Sequence, residues 1–159
     1  MKNQILAVEI LELVVREESN GAAFYEALAE SSRNNNVKEL GAQLAEEEKA
    51  HEITFARMQD ELEITSETSF DEDGEFNTYI ETLAGTRIFA NEDAAVTTAA
   101  RLNDREAVKF ALKIERATIN LYNELLQVAD KQASEIVKKA LDEENKHITM
   151  LEDTIQKLL

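Results

Sequence analysis

With 159 residues, no proline, four glycines and an abundance of Ala, Leu, Glu and Lys, the chain is sized for one domain with a substantial core and favours helix almost everywhere. The lack of cysteine excludes disulfides, zinc ribbons and cysteine-ligated iron–sulfur centres within it. A formal charge of −16, from 17 basic and 33 acidic residues, excludes the basic face that nucleic acid and anionic membranes require and favours cations as partners.

The first helix is expected over about 3–32. Its apolar or small positions, Leu11, Val14/Val15, Gly21/Ala22, Tyr25 and Leu28/Ala29, recur every three to four residues, and the gap in that stripe holds Glu18. A polar run over 31–36 then suits a tight turn. The second helix, about 37–63, carries Val37, Leu40, Leu44, Phe55, Met58 and Leu62 on its stripe, with Glu48 and His51 in the missing positions. Glu46 and Glu47 point to other faces, where water can solvate them.

Between 65 and 103 the pattern changes. A polar, acidic linker over 66–74 leads to an amphipathic segment (Phe76, Tyr79, Ile80, Leu83, Ile88, Phe89) and an alanine-rich stretch ending at Leu102. Nearly 40 residues far exceed what a hairpin connection needs, and can carry the chain along a bundle so that the flanking helices run parallel. Asn103-Asp104-Arg105-Glu106 has the form of a capping box and opens a third helix, to about 129. Val108, Ala111/Leu112, Ile119, Tyr122 and Leu125/Leu126 form its stripe, with Glu115 in the gap. A short turn over 130–133 leads to the fourth helix, about 134–158, where Val137, Ala140/Leu141, Leu151, Ile155 and Leu158 are interrupted by Glu144 and His147.

The chain is therefore an internal repeat. Its only two histidines each close a Glu-x-x-His, Glu48 to His51 and Glu144 to His147, and Glu18…Tyr25…Leu28 aligns with Glu115…Tyr122…Leu125. Burying a lone carboxylate costs several kcal/mol, so an apolar bundle has no reason to hold four at one level. Yet their depths agree: Glu18 lies about 16 residues before its turn and Glu48 about 12 after it, at ~1.5 Å per residue, and Glu115 and Glu144 repeat the arrangement. Four carboxylates balance two divalent cations, and the mixture with imidazole suits iron or manganese, with zinc as a substitute. In the expected site Glu48 and Glu144 bridge two metal ions, Glu18 and His51 complete one, and Glu115 and His147 the other. Tyr25 and Tyr122, two turns beyond Glu18 and Glu115, are candidates to hydrogen-bond ligand carboxylates, and packing alone also accounts for them.

Through Glu18-x-x-Gly-x-x-Phe-Tyr25, Ala45-Glu-Glu-Glu48-x-x-His51, Glu115-x6-Tyr122 and Glu144-x-x-His147 the whole chain resembles the rubrerythrin-like branch of the ferritin-like superfamily. The resemblance implies an all-α fold, a ferritin-like four-helix bundle with a long crossover between helices two and three, in a single domain over 1–159. It also implies a di-iron centre that oxidises Fe(II) with hydrogen peroxide or dioxygen and reduces peroxide to water. Two departures stand out. The cysteine-ligated rubredoxin domain of full-length rubrerythrins is absent, so reductant would come from an external electron donor protein or from Fe(II) itself. The additional glutamate one turn beyond the third-helix ligand is Thr118, which leaves a symmetric six-ligand set closer to a ferroxidase centre.

The expected activity is thus that of a di-iron oxidoreductase of the peroxidase/ferroxidase type. A non-catalytic iron-binding or storage protein and a helical bundle with a structural metal are the alternatives, and turnover separates them. No apolar run approaches the ~18 residues of a membrane span, and the start Met1-Lys2-Asn3-Gln4-Ile5 lacks a signal-peptide core, so a soluble, cytoplasmic protein is expected. Apolar residues in the crossover (Phe70, Phe76, Tyr79, Ile88, Phe89) beyond what one bundle covers point to a homodimer, with helix exchange as one route to it.

Overall fold

The computed structural model describes residues 2–65 and 75–158, with side chains placed over 6–62 and 78–158. Among them it contains six helices: α1 (Lys2–Ser31), α2 (Asn35–Thr65), α3 (Glu75–Ala84), α4 (Glu92–Arg101), α5 (Asp104–Val128) and α6 (Lys131–Lys157). The four long ones are the expected bundle helices, and α3 and α4 belong to the crossover. The acidic linker read from the sequence at 66–74, Phe70 within it and the side chain of Phe76 lie outside the described residues.

Local hydrogen bonds decide where each helix begins. The Asn34 side chain accepts the amides of Asn36 and Val37 at 2.9 and 3.2 Å and starts α2 slightly earlier than its apolar stripe suggests. The predicted capping box forms, with Asn103 accepting from the Glu106 amide at 2.9 Å and Glu106 from the Asn103 amide at 3.2 Å. Asp130 accepts the Ala133 amide at 2.8 Å, so α6 begins at Lys131 inside the segment read as a turn. A cap that good leaves only two residues between α5 and α6.

Cross-bundle contacts fix the directions. Tyr25 meets Glu115 while Tyr122 meets Glu18, so α1 and α5 run antiparallel. His51 meets Glu144 while His147 meets Glu48, so α2 and α6 do too. The short turns make α1–α2 and α5–α6 antiparallel hairpins, and α2 and α5 therefore run parallel, as the crossover permits.

The core has two apolar halves. One gathers Phe24, Leu28, Val37, Leu44, Val108, Ala111 and Leu151; the other gathers Ile10, Leu11, Val14, Phe55, Leu121, Leu125 and Val137. Between them in sequence, on all four long helices, come the buried Glu18, Glu48, His51, Glu115, Glu144 and His147. The α1 face is broader than the predicted stripe, because Leu13, Glu17, Asn20 and Phe24 form a further buried row. The crossover packs there: Asn20 donates to the Phe89 carbonyl at 3.5 Å, and the Phe89 ring stacks on Phe24 with centroids 5.8 Å apart. Phe89 is thus covered by its own bundle, and half-buried Tyr79 donates to Glu124. Gly41 lets α1 and α2 approach closely, since a Cβ there would sit 3.0 Å from the Tyr25 carbonyl oxygen. No described helix is long and apolar enough to cross a membrane.

Candidate metal centre

Each long helix delivers a carboxylate to the polar layer from the gap in its apolar stripe, so burial of the stripe forces burial of the acid. Three residues on, the same face of α2 and of α6 presents a histidine. The outcome is two overlapping groups: Glu18, Glu48, His51 and Glu144 in one, and Glu48, Glu115, Glu144 and His147 in the other. Within each group one donor atom per residue lies within 4.8 Å of every other. Glu48 and Glu144 belong to both. All six side chains singled out in the sequence come together.

Both imidazoles turn Nδ1 inward. His51 Nδ1 is 2.8 Å from Glu144 and 3.6 Å from Glu18; His147 Nδ1 is 3.2 Å from Glu48 and 3.4 Å from both Glu115 and Glu144. Despite that proximity, both Nδ1 atoms, one oxygen each of Glu18 and Glu48, and both oxygens of Glu144 are buried without a hydrogen bond of ordinary geometry. Buried polar atoms are normally hydrogen-bonded, so a convergent set of unpaired oxygens and ring nitrogens needs another partner. Carboxylate oxygen and imidazole nitrogen aimed at a common point fit a divalent cation of the first transition row. The layer is therefore able to hold metal.

The electrostatics describe the same crowding. Burial lifts Glu48 and Glu115 well above the usual carboxylate range, and neighbouring carboxylates push further in that direction. Burial acts likewise on Glu144, but its contacts with Glu115, His147 and His51 outweigh it and hold the group below that range. Burial alone would lower both histidines. The surrounding carboxylates, led by Glu144 for His51 and by Glu115 for His147, raise each to about 11 instead. The cluster thus holds protons as its counter-charge, and a metal cation competes for the same positions.

The tyrosines cross the bundle. Tyr25 on α1 donates to Glu115 on α5, and Tyr122 on α5 to Glu18 on α1. Burial, reinforced by the accepting glutamate, raises both phenols well above their ordinary value, so they remain donors. Neither bonds the glutamate of its own helix.

Two participating residues were not visible in the sequence reading. His51 Nε2 lies 2.6 Å from Glu143, and His147 Nε2 lies 2.6 Å from Glu47. Its place off the apolar stripe predicts a solvated Glu47. It is only half-exposed because α6 brings His147 against it. Burial raises its carboxyl, but hydrogen bonds from Gln43 and His147 prevail and lower it. The available signal was the doublet: both Glu-x-x-His segments are preceded by a second glutamate, Glu47-Glu48 and Glu143-Glu144. Thr118, one turn beyond Glu115, is buried and supplies a hydroxyl rather than a carboxylate.

Known proteins bear on this arrangement in two ways. The family model for rubrerythrin matches residues 9–155. Among solved structures, the chain is similar to a crystal structure from Thermotoga maritima described as a ferritin-like diiron-carboxylate protein, with a TM-score of 0.73, 24% identity and 96% of each chain covered. At that identity the likeness speaks for a ferritin-like bundle. A search of curated proteins returns no match.

Proposed function

This chain belongs to the rubrerythrin family, and on that premise we propose that it is a non-haem di-iron oxidoreductase, oxidising Fe(II) at the expense of hydrogen peroxide or dioxygen. The observation that carries the reading is the sharing of Glu48 and Glu144 between two otherwise separate donor groups, which suits two cations held side by side. Glu18 and His51 would complete one position, Glu115 and His147 the other. When bound, a pair of iron ions supplies two one-electron oxidations together, matching the two electrons and two protons that convert one hydrogen peroxide into two waters.

The protein's own part is placement and exclusion. Glu47 and Glu143 accept the outer N–H of each imidazole, which leaves Nδ1 of His147 and His51 as the inward lone pair. Tyr25 and Tyr122 fix one oxygen of Glu115 and Glu18 and leave the other to the centre. Phe55 packs beside both His51 and Tyr122, with centroids 6.4 and 5.0 Å away, and keeps that side dry. Thr118 in place of a seventh ligand favours the symmetric, ferroxidase-like version of the chemistry over a pure peroxidase.

Anaerobic titration of metal-stripped protein with Fe(II), followed by a pulse of peroxide or air, tests the reading. Saturation at about two Fe(II) per chain, an oxidation seen in the near ultraviolet, and repeated turnover with added Fe(II) are the expected results. Binding with a single round of oxidation would favour storage. Titration without a stoichiometric end point would remove the metal centre and the enzyme with it.

A further inference from the structure

The polar layer is not closed equally on all sides. Glu18, Glu115, Glu144 and His147 are almost wholly buried, and on the α1–α5 side the two tyrosines close over them. Between α2 and α6 the helices instead leave a cleft of about 460 Å³, lined among others by Glu47, Ala50, His51, Glu143, Lys146 and Met150. Because His51 lines it, the cleft reaches the centre itself. Glu47 and Glu143 stand between water and the imidazoles: their side chains are 39% and 37% exposed, and each bonds the outer nitrogen of one histidine.

Size and charge say what such a cleft admits. Six waters of ~30 Å³ each give a hydrated divalent cation of roughly 180 Å³, well under the volume present. In the lining Glu47 and Glu143 offset Lys146 and the imidazole proton of His51, and the carboxylate cluster behind the imidazoles supplies the attraction for such an ion. Carboxylate oxygens at this depth can replace part of a hydration shell before the ion meets Glu48 and Glu144 behind the imidazoles.

We propose that the α2–α6 cleft is the passage by which divalent cations reach and leave the centre, with Glu47 and Glu143 as the carboxylates that receive them. The inference rests on the metal-centre reading above. A passage and a ligand leave different signatures. Narrowing a passage slows arrival and departure alike, and so preserves both the equilibrium affinity and the number of ions bound. Damage to a ligand changes those quantities.

Ala50 is exposed on the cleft wall and contributes no ligand atom. In Ala50→Phe, stopped-flow mixing with Co(II) should show association slowed by roughly tenfold or more, and release into excess EDTA slowed by a similar factor. The end-point stoichiometry and Kd should match the unaltered protein. Lys146→Glu should speed association, with the gain fading at high salt. Val96→Phe, at an exposed position of α4 outside the cleft lining, serves as the control and should load normally. If circular dichroism shows that Ala50→Phe does not fold, Met150→Trp narrows the same cleft and carries the same expectation. Unchanged rates in the folded, narrowed variant overturn the passage while leaving the centre intact. A lowered stoichiometry or affinity at normal rates also overturns it, in favour of damage to the site. Failure of the unaltered protein to bind Co(II) at all overturns the metal centre and the passage together.

Discussion

Glu48 and Glu144 differ from the other four clustered side chains in belonging to both donor groups, so their loss has a different consequence. Glu48→Ala or Glu144→Ala should abolish binding of both ions, whereas Glu18→Ala or Glu115→Ala should leave one; Co(II) or Zn(II) titration of the four variants distinguishes the patterns. Glu17, the neighbour of Glu18, faces the crossover instead and makes no hydrogen bond of ordinary geometry. Burial raises its carboxyl to about 7, against an opposing pull from Arg87. A raised folded-state value means that ionisation opposes folding: stability is full below the ordinary 4.5, falls as pH rises towards 7 and is level above. Glu17→Gln removes that loss, so its stability relative to the parent should improve by up to about 3 kcal/mol between pH 4 and pH 8, read from urea midpoints at the two values. The six clustered residues were legible because each interrupts an apolar stripe and so must be buried with it. Glu17, Glu47 and Glu143 were not, because one residue along a helix turns a side chain by about 100° and sequence alone does not say what awaits it there.

At the level of helices, α1 and α2 are set by their closest approach. A methyl group on Gly41 would lie 3.0 Å from the Tyr25 carbonyl and 3.1 Å from the Ala29 amide nitrogen, both backbone atoms that cannot turn aside. Gly41→Val should therefore lower stability by ~1–3 kcal/mol despite the better helix propensity of valine, visible as a reduced urea midpoint. The long helices and the Asn103 capping box could be read from periodicity and local chemistry, since both are properties of neighbouring residues. The placement of α4 could not. Its buried Ala95 and Ala99 mark a face, but nothing local says that they join a core with Phe24 of α1, or that Asn20 and Phe24 hold Phe89 just ahead of the helix. The crosswise choice of partner by each tyrosine is hidden for the same reason: a stripe position specifies burial and depth, not the identity of the helix across the core.

For the molecule as a whole, metal binding and folding are one equilibrium. Cations that bind only the assembled layer stabilise it by ~2.7 kcal/mol at a hundredfold excess over Kd. The protons held by His51 and His147, both raised to about 11, and by Glu48 and Glu115 must leave as cations arrive. Affinity should therefore rise with pH, and at fixed metal concentration the increase in Tm should be larger at pH 8 than at pH 6, by scanning calorimetry. His51 draws Glu143 and Glu144 from the opposite hairpin, His147 draws Glu47 and Glu48, and each tyrosine does the same with a glutamate. Neither hairpin contains a finished half-site. As separate peptides they would have to find each other from solution, and the centre would disperse on dilution. Joined in one chain, with Glu115 97 residues after Glu18 and Glu144 96 residues after Glu48, they meet at an effective concentration on the order of millimolar, which makes the affinity for metal independent of how dilute the protein is.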